Sequence, residues 1–125
     1  MKIAITGCSG QLGTDLVGLL QDSSHALCAL DLPDIDITSD PSVQAALREF
    51  APEVIVNCAA YTNVDACETE RNVAMAVNAD GPRNLARFAE QTGAWLFHVS
   101  TDYVFPGDRA VPQPYTETQS SIIPD

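Results

Sequence analysis

The chain has 125 residues, 46% of them hydrophobic, and 17 acidic against 6 basic side chains for a formal net charge of -11. That length is enough for one domain burying about 65–70% of its extended-chain surface. Lys2 is the only lysine and the arginines are scattered, so no cation cluster is available to displace counterions from a nucleic-acid backbone, and no apolar run approaches the roughly 20 residues of a membrane span.

"MKIAITG" has one Lys, a very short apolar run and no cleavage-like site, so it does not read as a signal peptide. "KIAIT" is a β-branched run that stops at Gly7, the pattern of a buried strand. From Gln11 onward Leu12, Leu16, Leu19 and Leu20 recur at helical spacing and predict one apolar helix face. "HALCAL" is a second strand closed by Asp31-Leu32-Pro33, and the short "DIDI" segment is a candidate third. "SDPSVQAALREF" predicts a helix with Ser39 or Asp40 as cap, Pro41 in the first turn, and Val43, Ala46, Leu47 and Phe50 on one face. "PEVIVNCAA" is a strong buried strand. A long helical pattern follows from about Ala66 to Gln91, with Gly81-Pro82 expected to kink or break it. "AWLFHVS" is the last strand, and beyond Phe105 the pattern dissolves into loop.

Strands alternating with helices predict an α/β fold, a doubly wound, Rossmann-type parallel sheet with favoured order 3-2-1-4-5. Its ligand crevice belongs at the carboxyl ends of the strands. Cys8, Cys28, Cys58 and Cys67 show no C-x-x-C spacing and no accompanying His pattern, so no metal site is expected. Cys28 and Cys58 read as small buried thiols, and reduced thiols without an export signal point to the cytoplasm. His25 and His98 are expected to be structural.

Gly7, Gly10 and Gly13 follow the first strand as G-x-x-G-x-x-G and lead into the first helix. A tight strand-to-helix turn, bare backbone against a diphosphate and close helix–sheet packing each ask for glycine. The helix start then turns unpaired N–H groups toward the phosphates. Gly7, Ser9, Gly10, Gln11, Leu12 and Gly13 are therefore the expected diphosphate cradle. Asp31 ends the second strand, where a carboxylate accepts from both ribose hydroxyls. With Leu32 and Pro33 rather than a cation beside it, a 2′-phosphate finds no neutralising partner, so NADH is favoured over NADPH. Asp36 suits the adenine amino group and Ile37 the ring face.

"ITGCSGQLGTDL", "DIDITSD", "VNCAAYTNVDACE", "VNADGPRNLA", "HVSTDYVFPG" and "PYTET" together resemble the dTDP-4-dehydrorhamnose reductases, which are extended short-chain dehydrogenase/reductases. The resemblance implies reduction, with NADH or NADPH, of the 4-keto group of a nucleotide-linked sugar in deoxysugar and cell-surface polysaccharide synthesis. It implies that Cys58, Ala59, Ala60 and Tyr61 line the ribose and nicotinamide side, and that Asn78 supports the catalytic groups. Thr101 becomes the catalytic hydroxyl on the keto oxygen, and Asp102 and Tyr103 shape the sugar pocket. Family members often carry Arg directly after the Asp31 position, where this chain has Leu32. The family's proton donor lies in Y-x-x-x-K, yet none of Tyr61, Tyr103 and Tyr115 has Lys four residues on. Residues 1–125 are thus expected to be an NAD(P)-binding domain truncated before the substrate-binding part. Residues 1–105 form its βα core, and 106–125 form a loop leading to the absent Tyr/Lys segment. Trp95, Phe97 and Val99 are expected to remain incompletely covered, which favours self-association and leaves a homodimer open. Two alternatives stand beside this reading. One is another nucleotide-sugar epimerase or dehydratase. The other is a non-catalytic dinucleotide-binding subunit, as in the similar regulatory subunit of methionine adenosyltransferase.

Overall fold

The computed structural model describes residues 1–105, 107, 110 and 113–116. Most of the loop expected over 106–125 lies outside them, as does the side chain of Tyr103. Strands β1 (Lys2–Thr6), β2 (Ala26–Leu30), β3 (Val54–Asn57) and β4 (Trp95–His98) form one parallel sheet in the order β2-β1-β3-β4. β1 is central, pairing Ile3 with Leu27 on one side and Val54 on the other. Its residues Ile3 to Thr6 are accordingly buried on both faces of the sheet.

Helix α1 (Gln11–Leu20) packs on β1 and β2, while α2 (Asp40–Arg48) and α5 (Gly81–Thr92) pack on each other. Right-handed crossovers place α1 on one face of the sheet and α2 and α5 on the other. The core is on the α2/α5 side. There Ala4, Leu30 and Ile55 of the sheet meet Val43 and Leu47 of α2 and Leu85, Phe88 and Ala89 of α5, with Ile35 and Ile37 closing one end. Ser39 caps α2 through the Ser42 amide and Asp40 and Pro41 occupy its first turn. Among the described residues, no helix is long and apolar enough to cross a membrane.

Three expectations are corrected. The "DIDI" segment is not a strand. Pro33 removes a ladder donor, the Asp36 carboxylate takes the Thr38 amide and hydroxyl, and the Ile35 amide turns back onto the Asp31 carbonyl. The segment is therefore a run of turns. Without that strand, the remaining four keep the expected order.

The inward face of α1 is not the four-leucine stripe: Leu12 and Leu19 are 42% and 76% exposed, and the buried residue is Gly13. Leu16, Val17 and Leu20 are half-buried beside it. The helix is docked by its glycine contact, and that contact, not leucine spacing, sets its rotation.

The long helix is in pieces: α3 (Val64–Thr69), α4 (Arg71–Met75), a π-helical turn (Ala76–Asp80) and α5. Glu70, at φ -112° and ψ 43°, separates the first two. Pro82 has no amide to return to Asn78, and the Gly81 amide reaches back five residues to the Ala76 carbonyl. α5 ends at Gly93 in the left-handed conformation, φ +75°.

Phe88 is the largest fully buried side chain. Phe88→Ala is expected to cost about 3–5 kcal/mol in urea unfolding. A loss under about 1 kcal/mol would show that α5 is not seated as described.

Candidate functional site

β1 delivers the chain to Gly7, which turns with φ +71°. A Cβ on Gly7 would lie 2.5 Å from the Ala59 amide nitrogen and 2.7 Å from its Cα. A Cβ on Gly13 would run into the Gly7 carbonyl oxygen and stand 2.7 Å from the Cα of Cys8. Two crossovers therefore meet backbone to backbone, with no side chain between them. The Gly10 amide donates to the Gly7 carbonyl (3.1 Å), the Thr14 hydroxyl donates to the Cys8 carbonyl (3.1 Å), and Gly10 starts α1 with no capping side chain. The result is a fixed loop with exposed backbone.

Asp31, at the end of β2, faces this loop. Its Oδ2 accepts the Ser9 amide and its Oδ1 the Leu32 amide, both at 2.9 Å. Burial pushes the carboxyl's pKa up, but the bonds from Ser9 and Leu32 outweigh that and hold it below the ordinary aspartate value. Asp36 is held by the turn it makes: its Oδ1 accepts from the Thr38 amide at 2.9 Å and hydroxyl at 2.7 Å, while its own amide donates to Ser42 Oγ. Ile37 is buried, in position to meet any Cβ added to Gly81, and its carbonyl accepts from Asn84 Nδ2 at 2.9 Å.

The opposite wall begins at Asn57, fully buried at the end of β3. Its Oδ1 accepts from the Thr6 hydroxyl (2.7 Å) and the Ala59 amide (3.1 Å), and its Nδ2 contacts His98 Nδ1 at 3.0 Å. Because the Ala59 amide can only donate, Oδ1 must face it, and His98 Nδ1 is the acceptor. Farther along, Asn78 grips Tyr61 by its backbone: the Tyr61 amide donates to Oδ1 at 2.8 Å and Nδ2 donates to the Tyr61 carbonyl at 3.0 Å. The Tyr61 hydroxyl donates to Glu70 Oε2 at 2.6 Å, and that bond, with a smaller push from burial, raises the phenol above its usual range. Burial likewise pushes up the Cys58 thiol, which stays protonated at neutral pH.

A cleft of about 290 Å³ lies between these walls. It brings together Gly7, Gly10, Asp31, Asp36, Ile37 and the run Cys58, Ala59, Ala60 and Tyr61. Ser9, Gln11, Leu12 and Gly13 are on the adjoining loop and first turn without lining it, and Asn78 stands behind Tyr61. Thr101 and Asp102 are exposed beyond β4, joined by a 3.0 Å bond from the Thr101 hydroxyl to Asp102 Oδ1, and do not line the cleft. Leu32, Ile35, Thr38 and Val77 line it as well but were not picked out as site residues from the sequence. The D-x-T spacing of Asp36 and Thr38 is the signal that could have found one of them, because it marks an Asx turn. Among the described residues, no group of three or more His, Cys, Asp or Glu is placed to hold a metal ion.

The model of the family described as RmlD substrate binding domain matches residues 1–122. A dTDP-4-dehydrorhamnose reductase of Streptomyces griseus is 48% identical over 90% of this chain and 36% of its own length. Among solved structures, a dTDP-4-dehydrorhamnose reductase of Clostridium acetobutylicum superposes with a TM-score of 0.89 at 41% identity, covering 97% of this chain and 42% of that one. Another, from Bacillus anthracis in complex with NADP, has a TM-score of 0.82 at 44% identity, covering 86% and 39%. The chain thus spans well under half the length of these relatives.

Asp31→Asn keeps one acceptor oxygen but turns an NH₂ donor onto the other amide. It is expected to cost about 1 kcal/mol of stability at pH 7. The folded carboxyl titrates below the roughly 3.9 of an unfolded aspartate. The wild-type advantage is therefore complete above that value and is lost as pH falls through the lower folded one. Urea unfolding of both proteins from pH 7 down to pH 2 checks this; a gap that does not narrow on acidification would refute it.

Proposed function

The chain belongs to the RmlD substrate binding domain family, and we propose that it is the cofactor-binding portion of a nicotinamide-dependent reductase acting on the 4-keto group of dTDP-4-dehydrorhamnose. The observation that carries this reading is the cleft in which the bare backbone of Gly7 and Gly10 and the Asp31 carboxylate meet. A diphosphate needs amide donors without partners. The first turn of α1, whose amides have no intrahelical acceptor and no capping side chain, opens at Gly10 beside this cleft, while the glycine contacts hold the loop tight against Ala59 and α1. An adenosine ribose needs an ionised acceptor, and the amides of Ser9 and Leu32 keep Asp31 ionised and aimed. The relatives' names supply the substrate class.

When bound, the nicotinamide supplies the hydride. Gly7, Ser9, Gly10, Gln11, Leu12 and Gly13 hold the diphosphate, Asp31 the ribose hydroxyls, and Asp36 and Ile37 the adenine end. Cys58, Ala59, Ala60 and Tyr61 form the far wall, with Asn78 steadying it. Thr101, beside Asp102 and Tyr103, is the hydroxyl that would donate to the substrate's keto oxygen, exchanging its bond to Asp102 Oδ1 for that one. Tyr61 is not the proton donor: its phenol proton is committed to Glu70, which raises rather than lowers its pKa. Residues 1–125 hold no Y-x-x-x-K, so the proton-donating pair is assigned to sequence outside them. A net charge of -11 argues against a nucleic-acid partner, and the four unpaired cysteines support a cytoplasmic location.

We assign NADH as the preferred cofactor. The cleft is lined by Asp31 and Asp36 with Leu32 beside them, and no basic residue is among its described lining. A 2′-phosphate would meet carboxylates without a counter-charge.

Calorimetric titration is expected to give a dissociation constant about tenfold lower for NADH than for NADPH. A tenfold preference for NADPH would overturn the assignment, and no binding of either at millimolar concentration would overturn the function. Residues 1–125 alone are expected to show negligible turnover of dTDP-4-dehydrorhamnose, since a missing general acid alone costs about 10²–10⁴-fold. Nucleotide-sugar-dependent NADH oxidation at rates typical of a complete reductase would refute that.

A further inference from the structure

We propose that Glu70 is a positioning residue for the dinucleotide, acting through the Tyr61 side chain; the proposal rests on the cofactor reading above. Tyr61 is held at three points. Asn78 takes its amide and carbonyl, and Glu70 Oε2 takes its hydroxyl at 2.6 Å. The Asn78 bonds reach only the Tyr61 backbone, and the Glu70 bond is the one that ties down its hydroxyl.

Glu70 is well placed for the task. It is the joint between α3 and α4, where its amide closes one helix on the Ala66 carbonyl (2.7 Å) and its carbonyl opens the next by accepting the Ala74 amide (3.0 Å). Its backbone builds the joint without the carboxylate, so the side chain is available to bind elsewhere. The phenol supplies that carboxylate with a short, charge-assisted donor at 2.6 Å. The pair thus couples the helical joint to the wall formed by Cys58, Ala59, Ala60 and Tyr61, and spares the ligand the ordering of that wall.

The test is calorimetric titration of NADH into the full chain and its variants, with circular dichroism and the melting transition as folding controls. Glu70→Ala and Tyr61→Phe are each expected to weaken NADH binding about five- to tenfold, and the double variant no more than either alone, with the fold unchanged. Glu70→Gln retains an acceptor oxygen and is expected to stay within about twofold of wild type. Wild-type affinity in Glu70→Ala and Tyr61→Phe would overturn this proposal and leave the cofactor reading standing. So would additive losses, or a Glu70→Gln as weak as Glu70→Ala. No heat from NADH with the wild-type chain would overturn both.

Discussion

Two peptide segments cross at Gly7 closer than any side chain permits, and the site is arranged around that crossing. The turn after β1 lies against the backbone of Cys58 and Ala59 on one side and against α1 at Gly13 on the other. Hydrophobic burial alone would not bring them so near, because each contact leaves polar backbone groups that must find partners. The partners are local and specific: Gly10 to Gly7, Cys8 to the Leu30 carbonyl, Cys58 to the Thr6 carbonyl. The close approach also explains why α1 ignores its leucine pattern. A helix seated on a glycine has its rotation set by backbone contact, and its side chains bury whatever surface that rotation leaves them.

Polar side chains then fix where the strand ends point. Asp31 joins the end of β2 to the glycine loop through Ser9, and Asn57 joins β1, β3 and β4 through Thr6 and His98 while holding the Ala59 amide. Both are short, rigid side chains with two bonding ends, Asp31 accepting at each oxygen and Asn57 accepting at Oδ1 and donating from Nδ2, and both act on the crevice. A fully buried asparagine is costly unless its groups are satisfied, and here Oδ1 and Nδ2 both have partners. Oδ1 cannot exchange places with Nδ2 without setting two donors face to face at Ala59. The geometry of the far wall is thus decided by the orientation of one amide.

What could be read from the sequence follows from how local each constraint is. The strands were legible because short apolar runs between turn residues, β-branched in β1 and β3, carry their own signal. The glycine loop and Asp31 were legible because their spacing is tied to a single turn. The "DIDI" segment looked like a strand because Ile35 and Ile37 are buried and alternate; that they are buried from a turn depends on the side chain of Asp36 and on where α5 lies. The break at Glu70 and the π-helical turn were not legible, although Gly81-Pro82 pointed to an interruption nearby, because helix fragments rejoin at positions chosen by the wall they support. Val77 lines the cleft, and Glu70 meets the Tyr61 hydroxyl, only through that folding-back, and no one-dimensional pattern encodes it. Asn78 could be placed by family resemblance, but its role as a grip on the Tyr61 backbone is visible only in three dimensions.

The two faces of the sheet differ in how firmly they hold the strand ends. On the α2/α5 side Phe88, Leu85, Leu47 and Ile55 are fully buried and root β1 and β3, the strands that carry Gly7 and Asn57. On the α1 side the outer strand is thinly covered: Trp95 and Phe97 of β4 are 73% and 59% exposed, and Leu19 of α1 is more exposed still. Thr101 follows β4 directly, so the hydroxyl assigned to the substrate hangs from the least supported strand, bonded to its neighbour Asp102. Apolar area left in water contributes nothing to holding a strand in place. Most fixed points of the cleft lie on or just after β1, β2 and β3, and β4 reaches it through His98 on Asn57. Among the described residues, apolar cover thus falls off from β3 to β4.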